Sequence, residues 1–344
     1  MSTTVEPLAP PEKEVNKDSF KGKIDPDWCP GCGDFAVLSC LQKALVELEL
    51  EPHKVMIISG IGCSSNLPGY MNTYGMHTLH GRGLAVATGV KLGNHDLTVI
   101  ATGGDGDGFG IGGNHFIHVL RRNIDLNIVL FNNRIYGLTK GQYSPTSELG
   151  KVTKSTPFGS LDTPFNPPAL ALGAQATFVA RSIDRYPSHL QKMLGRTHGH
   201  KGASFLEVYQ NCHIFNDGAF KLMTEKETKD NHVLELEDGQ PMIFGKEKNK
   251  GIRLDGFRPE VVTINGDFSA DDLLVHNETD KNIADILTNF TYDTEFPTPI
   301  GVLYVAESST YEDRLEKQIK NAKKKLGEGN LEDLIRGVDM WDVE

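Results

Sequence analysis

Residues 97–113, LTVIATGGDGDGFGIGG, run an apolar stretch directly into a glycine-rich turn and on toward a helix, and this junction limits the folds open to the chain. Apolar residues that end in such a turn read as a strand of a parallel sheet, whose carboxyl end is where ligands bind. Glycines there let backbone N–H groups approach a phosphate at a helix N-terminus, although a tight strand-to-helix turn also needs glycine for its own geometry. The same rhythm recurs along the chain. FAVLSCLQKALVELEL sets Phe35, Leu38, Leu41, Leu45 and Leu48 at the spacing of one helical face, Asp34 is placed to cap that helix, and KVMIISGIG follows as a buried strand. GLAVATGVKLGN, NHFIHVLRRN and YPSHLQKMLGRTHG read as helices, LNIVLFNN and ASFLEVYQNC as strands, and MNTYGMHTLHGR and RIYGLTKGQYSPTS as loops. This alternation predicts an α/β fold, a parallel sheet with helices on both faces that continues to about Cys212.

Beyond Asp217 the chain turns polar, and clear strand–helix alternation stops. Near the end, GVLYVAESS is a strand candidate, and Ser309 to Glu312 form a capping box for the helix EDRLEKQIKNAKKKL, closed by Gly327. The expected organisation is a disordered tail over 1–20, the sheet domain over 21–215, and a C-terminal extension over 216–344 that serves as a subunit-contact region. The opening residues lack a basic segment followed by an apolar one, and no run is long enough to cross a bilayer, so a cytoplasmic location is expected. A net charge of −11 argues against nucleic acid or an anionic membrane as partner.

Gly108 to Gly113 literally match G-x-G-x-x-G, but a dinucleotide site wants an acidic residue at the end of the next strand, where this chain has Asn132-Asn133. Asp105 and Asn133 stand at consecutive strand ends, so their side chains converge. One carboxylate, one amide and a backbone carbonyl are oxygen donors suited to Mg²⁺ beside a diphosphate.

Five cysteines is an odd count. Cys29 and Cys32 lie three apart in a turn, the spacing of a metal pair, and a closed site needs two more ligands. Cys63 and Cys212 sit at strand exits on the rim that carries the Gly-Asp-Gly turn. Cys40 is mid-helix and reads as a buried, inert thiol. Spacing alone leaves zinc and an iron–sulfur cluster both open.

Gly104-Asp105-Gly106 followed by Asn132-Asn133 resembles the thiamine-diphosphate motif. The resemblance implies Asp105, the Asn133 side chain and the Ile135 carbonyl on Mg²⁺, with Gly106, Asp107, Gly137 and Leu138 against the cofactor. Leu138 would support its bent form. From Trp28 to Phe215, Ile61-Gly62-Cys63-Ser64, Thr78-Leu79-His80-Gly81-Arg82, GGNHFIHVLRRN and IYGLTKGQYSPTS resemble the β subunit of 2-oxoacid:ferredoxin oxidoreductases. That resemblance implies Ile61, Gly62, Cys63, Ser64 and His80 on the cofactor side, and one [4Fe-4S] cluster on Cys29, Cys32, Cys63 and Cys212. It further implies oxidative decarboxylation of a 2-oxoacid to acyl-CoA and CO₂, or the reverse, with coenzyme A and ferredoxin as co-substrates. The polar segment after Phe215 favours 2-oxoglutarate over pyruvate, whereas Asn66 stands where some relatives carry a basic residue. No motif for the activating glutamate is found, so an α subunit is expected to supply it, in an αβ pair or its dimer. The opposing expectation is a non-catalytic α/β module stabilised by zinc.

Overall fold

Strand-sized apolar runs and amphipathic helices assemble into one large, mostly parallel sheet. The computed structural model describes residues 15–341 and 343. In chain order the strands are β1 (Val55–Ser59), β2 (Tyr74–His77), β3 (Thr98–Gly104), β4 (Asn127–Asn132), β5 (Phe178–Ile183), β6 (Ser204–Tyr209), β7 (Val233–Glu235), β8 (Ile243–Phe244), β9 (Lys250–Asp255), β10 (Arg258–Thr263) and β11 (Thr298–Val305). The main sheet runs β2-β1-β3-β4-β6-β5-β11-β7, and β8 to β10 form a small antiparallel sheet of their own. From β2 to β5 every pairing is parallel; β11 returns antiparallel on β5.

Side chains alternate across the sheet, so each strand feeds two cores. On one face Ile57, Ile100, Val129 and Leu206 pack with Val37, Leu41 and Leu45 of α1 (Asp34–Glu47) and with helix α5, described below. On the other, Ile58, Ala101, Ile128 and Phe205 meet α2 (Gly83–Gly93), α3 (Gly113–Arg122) and α4 (Pro167–Gly173). Helix α5 (Pro187–Gly199) contributes Leu190, Met193 and Leu194 to the first core. Single turns α6 (Lys221–Thr224) and α7 (Lys229–His232) lead to α8 (Lys281–Thr288), and the chain closes with α9 (Tyr311–Leu326) and α10 (Leu331–Arg336).

The expected boundaries need three corrections. Residues 1–14 of the anticipated tail lie outside the described residues, but Asn16 caps a 3₁₀ turn over Lys17–Phe20 whose Phe20 is fully buried, so order begins before 21. The segment after 215 is not a separate appendage: β11 completes the main sheet against β5, and Ala284 and Leu287 of α8 enter the second core. Burying Ile300, Val302 and Leu303 requires a pairing edge, and β5 supplies it. Residues 74–77, read as loop, form the exposed edge strand β2, which has no apolar alternation to reveal it.

Two capping expectations also shift. Thr310, not Ser309, accepts the Asp313 N–H at the start of α9, while Gly327 ends that helix at φ 83° as expected. Asp34 is the first residue of α1 and caps nothing; its carboxyl is buried without a hydrogen-bond partner. Among the described residues no helix is long and apolar enough to cross a membrane.

If the C-terminal segment is part of the core, Leu287→Ala should cost roughly 2–5 kcal/mol and lower the thermal midpoint by several degrees. Calorimetry of the purified complex checks this, and an unchanged midpoint would contradict the packing.

Candidate active site

Parallel strands deliver their exits to one rim, and there the turns after β1, β3 and β4 enclose a cavity of about 510 Å³. Its walls include Ile61, Gly62, Cys63, Ser64, His80, Asp105, Gly106, Asp107, Asn133, Ile135, Gly137 and Leu138, which brings together every cofactor and Mg²⁺ candidate read from the sequence. The Gly-Asp-Gly turn is already helical at 105–106 and passes through one π turn, Asp107–Ile111, into α3. Glycine is required at 106 because a Cβ there would overlap the Tyr136 ring, whose hydroxyl donates to the Gly106 carbonyl at 3.0 Å.

Asp105 is almost fully buried, and its Oδ2 accepts from the Ser144 hydroxyl and from Thr146 Oγ1 at 2.6 Å. Burial pushes its carboxyl up to about 6, against the pull of those two hydroxyls. Its partners are neutral, so a cation is what this carboxylate lacks. After β4 the backbone turns through Arg134 at φ 56°. Asn133 and Ile135 on either side of it then both line the cavity. Asn133 donates to Gln210 Oε1 at 3.0 Å, and Asn216 Nδ2 holds the Asn133 carbonyl at 2.9 Å. Asn132 is different. It is buried and donates to Glu207 at 2.7 Å, so only one of the paired asparagines meets the cavity. The donor set of Asp105, Asn133 and the Ile135 backbone is all oxygen, as a hard divalent cation requires.

Asp107 braces the walls. Its Oδ1 accepts from Ile61 N–H at 2.9 Å and Gly81 N–H at 2.6 Å and faces His80 Nδ1 at 2.9 Å, which ties three turns together. Leu138 is half exposed at the cavity wall, unlike a core leucine. Tyr136, Thr139, Gln142 and Tyr143, which lie in the quoted stretch IYGLTKGQYSPTS without an assigned role, line the cavity too; Lys140, at φ 81°, is exposed beside it. Among the described residues no Glu, Lys or Arg lines the cavity, and neither does Asn66.

Cys63 faces both ways. It lines the cavity, and its Sγ lies 3.5 Å from where Gly137 would carry a Cβ, with Cys212 Sγ at 3.6 Å from the same point. Trp28 ties the turn with Cys29 and Cys32 to this pair, its Nε1 donating to the Cys63 carbonyl at 2.7 Å; Cys32 N–H bonds the Cys29 carbonyl at 3.0 Å, and Gln210 Nε2 reaches Cys32 Sγ at 3.3 Å. Burial pushes the Cys63 thiol up to about 11, reinforced by Asp34, Cys212 and Cys29, and raises Cys32 further still. Burial, with Asp184 nearby, also lifts the Asp34 carboxyl to about 7. Cys40 is buried at the start of α5, where its Sγ meets the Pro187 carbonyl. Among the described residues no three His, Cys, Asp or Glu side chains are poised around a single ion. A tetrahedral zinc site would draw its sulfurs to within ~3.8 Å of each other, whereas a four-iron cube spreads them wider.

Fold and cavity together define a thiamine-diphosphate-binding domain, and residues 60–208 match the family described as thiamine pyrophosphate enzyme, C-terminal TPP binding domain. The chain is 46% identical over 337 residues to 2-oxoglutarate oxidoreductase subunit KorB of Mycobacterium tuberculosis, covering 97% of this chain and 90% of that one. It is 46% identical over 214 residues to the 2-oxoacid:ferredoxin oxidoreductase subunit beta of Saccharolobus solfataricus, covering 62% of this chain and 68% of that one. A structure of 2-oxoglutarate:ferredoxin oxidoreductase from Magnetococcus marinus with 2-oxoglutarate, coenzyme A and succinyl-CoA bound matches with TM-score 0.74 and 31% identity, over 94% of this chain and 95% of that one. The chain belongs to the family of 2-oxoacid:ferredoxin oxidoreductase β subunits.

In the cluster-free chain, alkylation of Cys63 followed by peptide mass spectrometry should keep accelerating up to about pH 11, since the protonated thiol is unreactive. A plateau near pH ~8.5, that of an exposed thiol, would contradict the burial.

Proposed function

We infer that this chain is the cofactor-binding half of an enzyme that oxidatively decarboxylates 2-oxoglutarate to an acyl-CoA and CO₂ while reducing ferredoxin, or runs the reverse. The observation that carries the reading is the shared wall: Cys63 lines the cavity and stands with Cys212 behind Gly137. A cofactor in the cavity and a cluster on the cysteines would be neighbours, which electron transfer between them needs. Membership of an oxidoreductase family sets aside the non-catalytic zinc module.

Asp105, the Asn133 side chain and the Ile135 carbonyl would hold Mg²⁺ against the diphosphate, and Cys29, Cys32, Cys63 and Cys212 would hold a [4Fe-4S] cluster. When bound, thiamine diphosphate supplies a carbon nucleophile and a sink for the electron pair left by CO₂, and the cluster takes electrons singly. The chain's own residues orient and enclose. Ile61, Gly62, Ser64, His80, Gly106 and Gly137 shape the wall, Asp107 holds His80 and two backbone amides, and Leu138 presents an apolar side chain to the cofactor.

With no glutamate at the wall, the proton-transferring carboxylate of the reaction falls to an α subunit, in an αβ pair or (αβ)₂. With no lysine or arginine there, recognition of the distal carboxylate of 2-oxoglutarate falls to the same partner, so Asn66 does not argue for pyruvate. Within 216–344, the exposed α9–α10 end is the candidate for subunit contact, since Leu334, Ile335 and Trp341 are largely uncovered. Five free thiols suit a reducing compartment, and a cytoplasmic site of action belongs to this reading.

The test is a coenzyme-A-dependent, ferredoxin-coupled assay of the anaerobically copurified αβ complex with 2-oxoglutarate and pyruvate. Faster turnover of 2-oxoglutarate is expected; preference for pyruvate would overturn the substrate. Asp105→Ala should strip thiamine diphosphate and activity from the complex while the cluster colour stays. Metal analysis should return about four irons per chain, and a stoichiometric zinc instead would sink the cluster assignment.

A further inference from the structure

The loop at 143–147 holds no residue assigned a role so far, yet it makes the tightest contacts to Asp105. Ser144 and Thr146 both donate to Asp105 Oδ2, and Ser147 Oγ holds the Arg134 carbonyl at 2.6 Å. Thr146 Oγ1 also lies 2.9 Å from Asn132 Oδ1. From there a buried chain continues: Asn132 Nδ2 to Glu207 Oε1 at 2.7 Å, Arg181 Nε to Glu207 Oε2 at 2.6 Å, and Arg181 Nη2 to Thr291 Oγ1 at 2.9 Å. Thr146, Asn132, Glu207 and Arg181 are each at most 1% exposed.

We propose that Thr146 is a positioning residue for the cation site: its hydroxyl, donated to Asp105 Oδ2, fixes that oxygen so that the carboxylate offers Oδ1 alone to the ion. This deepens the reading of Asp105 as a Mg²⁺ ligand and rests on it.

A hydroxyl has one proton to give, and both neighbours of Thr146, Asp105 Oδ2 and Asn132 Oδ1, are acceptors. A charged carboxylate takes that proton in preference to an amide carbonyl. Asn132 is not stranded, because its Oδ1 also accepts the Arg134 N–H at 3.2 Å. Ion binding needs the ionised carboxylate, and the ionised carboxylate orders Thr146, so each favours the other. The position is held from two sides. Ser147 Oγ ties the loop to the Arg134 carbonyl at 2.6 Å, and the Tyr292 hydroxyl, from the C-terminal segment, donates to the Phe165 carbonyl at 2.9 Å and stands 3.3 Å from the Thr146 carbonyl. A loop that merely filled space would need none of these directed bonds on one carboxylate oxygen.

The experiment uses the αβ complex and compares Thr146→Val, which keeps the shape and removes the hydroxyl, with Thr146→Ser, which keeps the hydroxyl. Asp105→Asn is the control. Mg²⁺ is titrated calorimetrically into cofactor-free complex with thiamine diphosphate present, and bound Mn²⁺ is counted by electron paramagnetic resonance as a second readout. Thr146→Val is expected to weaken the ion about 10–100-fold, with turnover still rising at Mg²⁺ concentrations that saturate the wild type. Thr146→Ser should bind like wild type. The proposal is overturned if the valine variant binds the ion as tightly as wild type, or if serine loses as much as valine. Should the valine variant not assemble, Ser144→Ala removes the other hydroxyl on the same oxygen, and unchanged ion affinity there overturns the clamp. If Asp105→Asn itself binds Mg²⁺ and thiamine diphosphate normally, the underlying cation reading has failed and not the role of Thr146 alone.

Discussion

Everything at the carboxyl rim answers to one buried carboxylate that has no positive side chain beside it. Asp105 is held by two hydroxyls, and neutral donors leave its charge uncompensated, which is why burial lifts it to about 6. A protein can resolve such a group by protonating it, pairing it with lysine or arginine, or giving it a metal. The surroundings favour the last. Arg134 at φ 56° lets Asn133 and Ile135 line the same cavity as Asp105. The strand order makes this cheap: β3 and β4 are adjacent and in register from Ile100–Asn127 to Gly104–Phe131, so their exits lie side by side without further construction.

The cysteine side is arranged by the opposite deficit. Cys63 and Cys32, beside a buried Asp34, cost little while protonated and a great deal as thiolates, which is the sense of their upward shifts. A polycationic iron–sulfur core reverses that sign. Gly137 is the thin partition between the cavity and the sulfurs, since both Cys63 and Cys212 come within ordinary contact of where its side chain would start. A larger residue there would have to displace the sulfurs or the cavity wall.

How much of this was legible depends on whether the chemistry dictates a residue type. The Gly-Asp-Gly turn stood out in the sequence because a strand-to-helix turn favours glycine and a hard cation wants a carboxylate. Cys29, Cys32, Cys63 and Cys212 stood out because thiols at turns and strand exits suit metal ligation, with zinc and a cluster both open on spacing alone. Of Asn132 and Asn133 the sequence singled out the second; alternation along β4 turns the first inward to Glu207, and only the second lines the cavity. Ser144 and Thr146 were invisible, because hydroxyl residues in a loop carry no signal until their acceptors are known. The C-terminal segment misled through its polar stretches, which hid that α8 and β11 complete the core.

What the cavity lacks is as informative as what it holds. Among the described residues its wall has oxygen donors for a cation, an apolar leucine and glycines, but no glutamate to transfer a proton and no lysine or arginine for a second substrate carboxylate. Around it Leu79, Ile111 and Leu138 are 75%, 53% and 49% exposed. Apolar side chains gathered beside a polar site are the ordinary mark of a surface that another protein covers. The two deficits have one solution. A subunit seated on that rim would bury the leucines, exclude water from the cofactor, and contribute the missing acid and cation in the same step, so that catalysis begins only when the two halves meet.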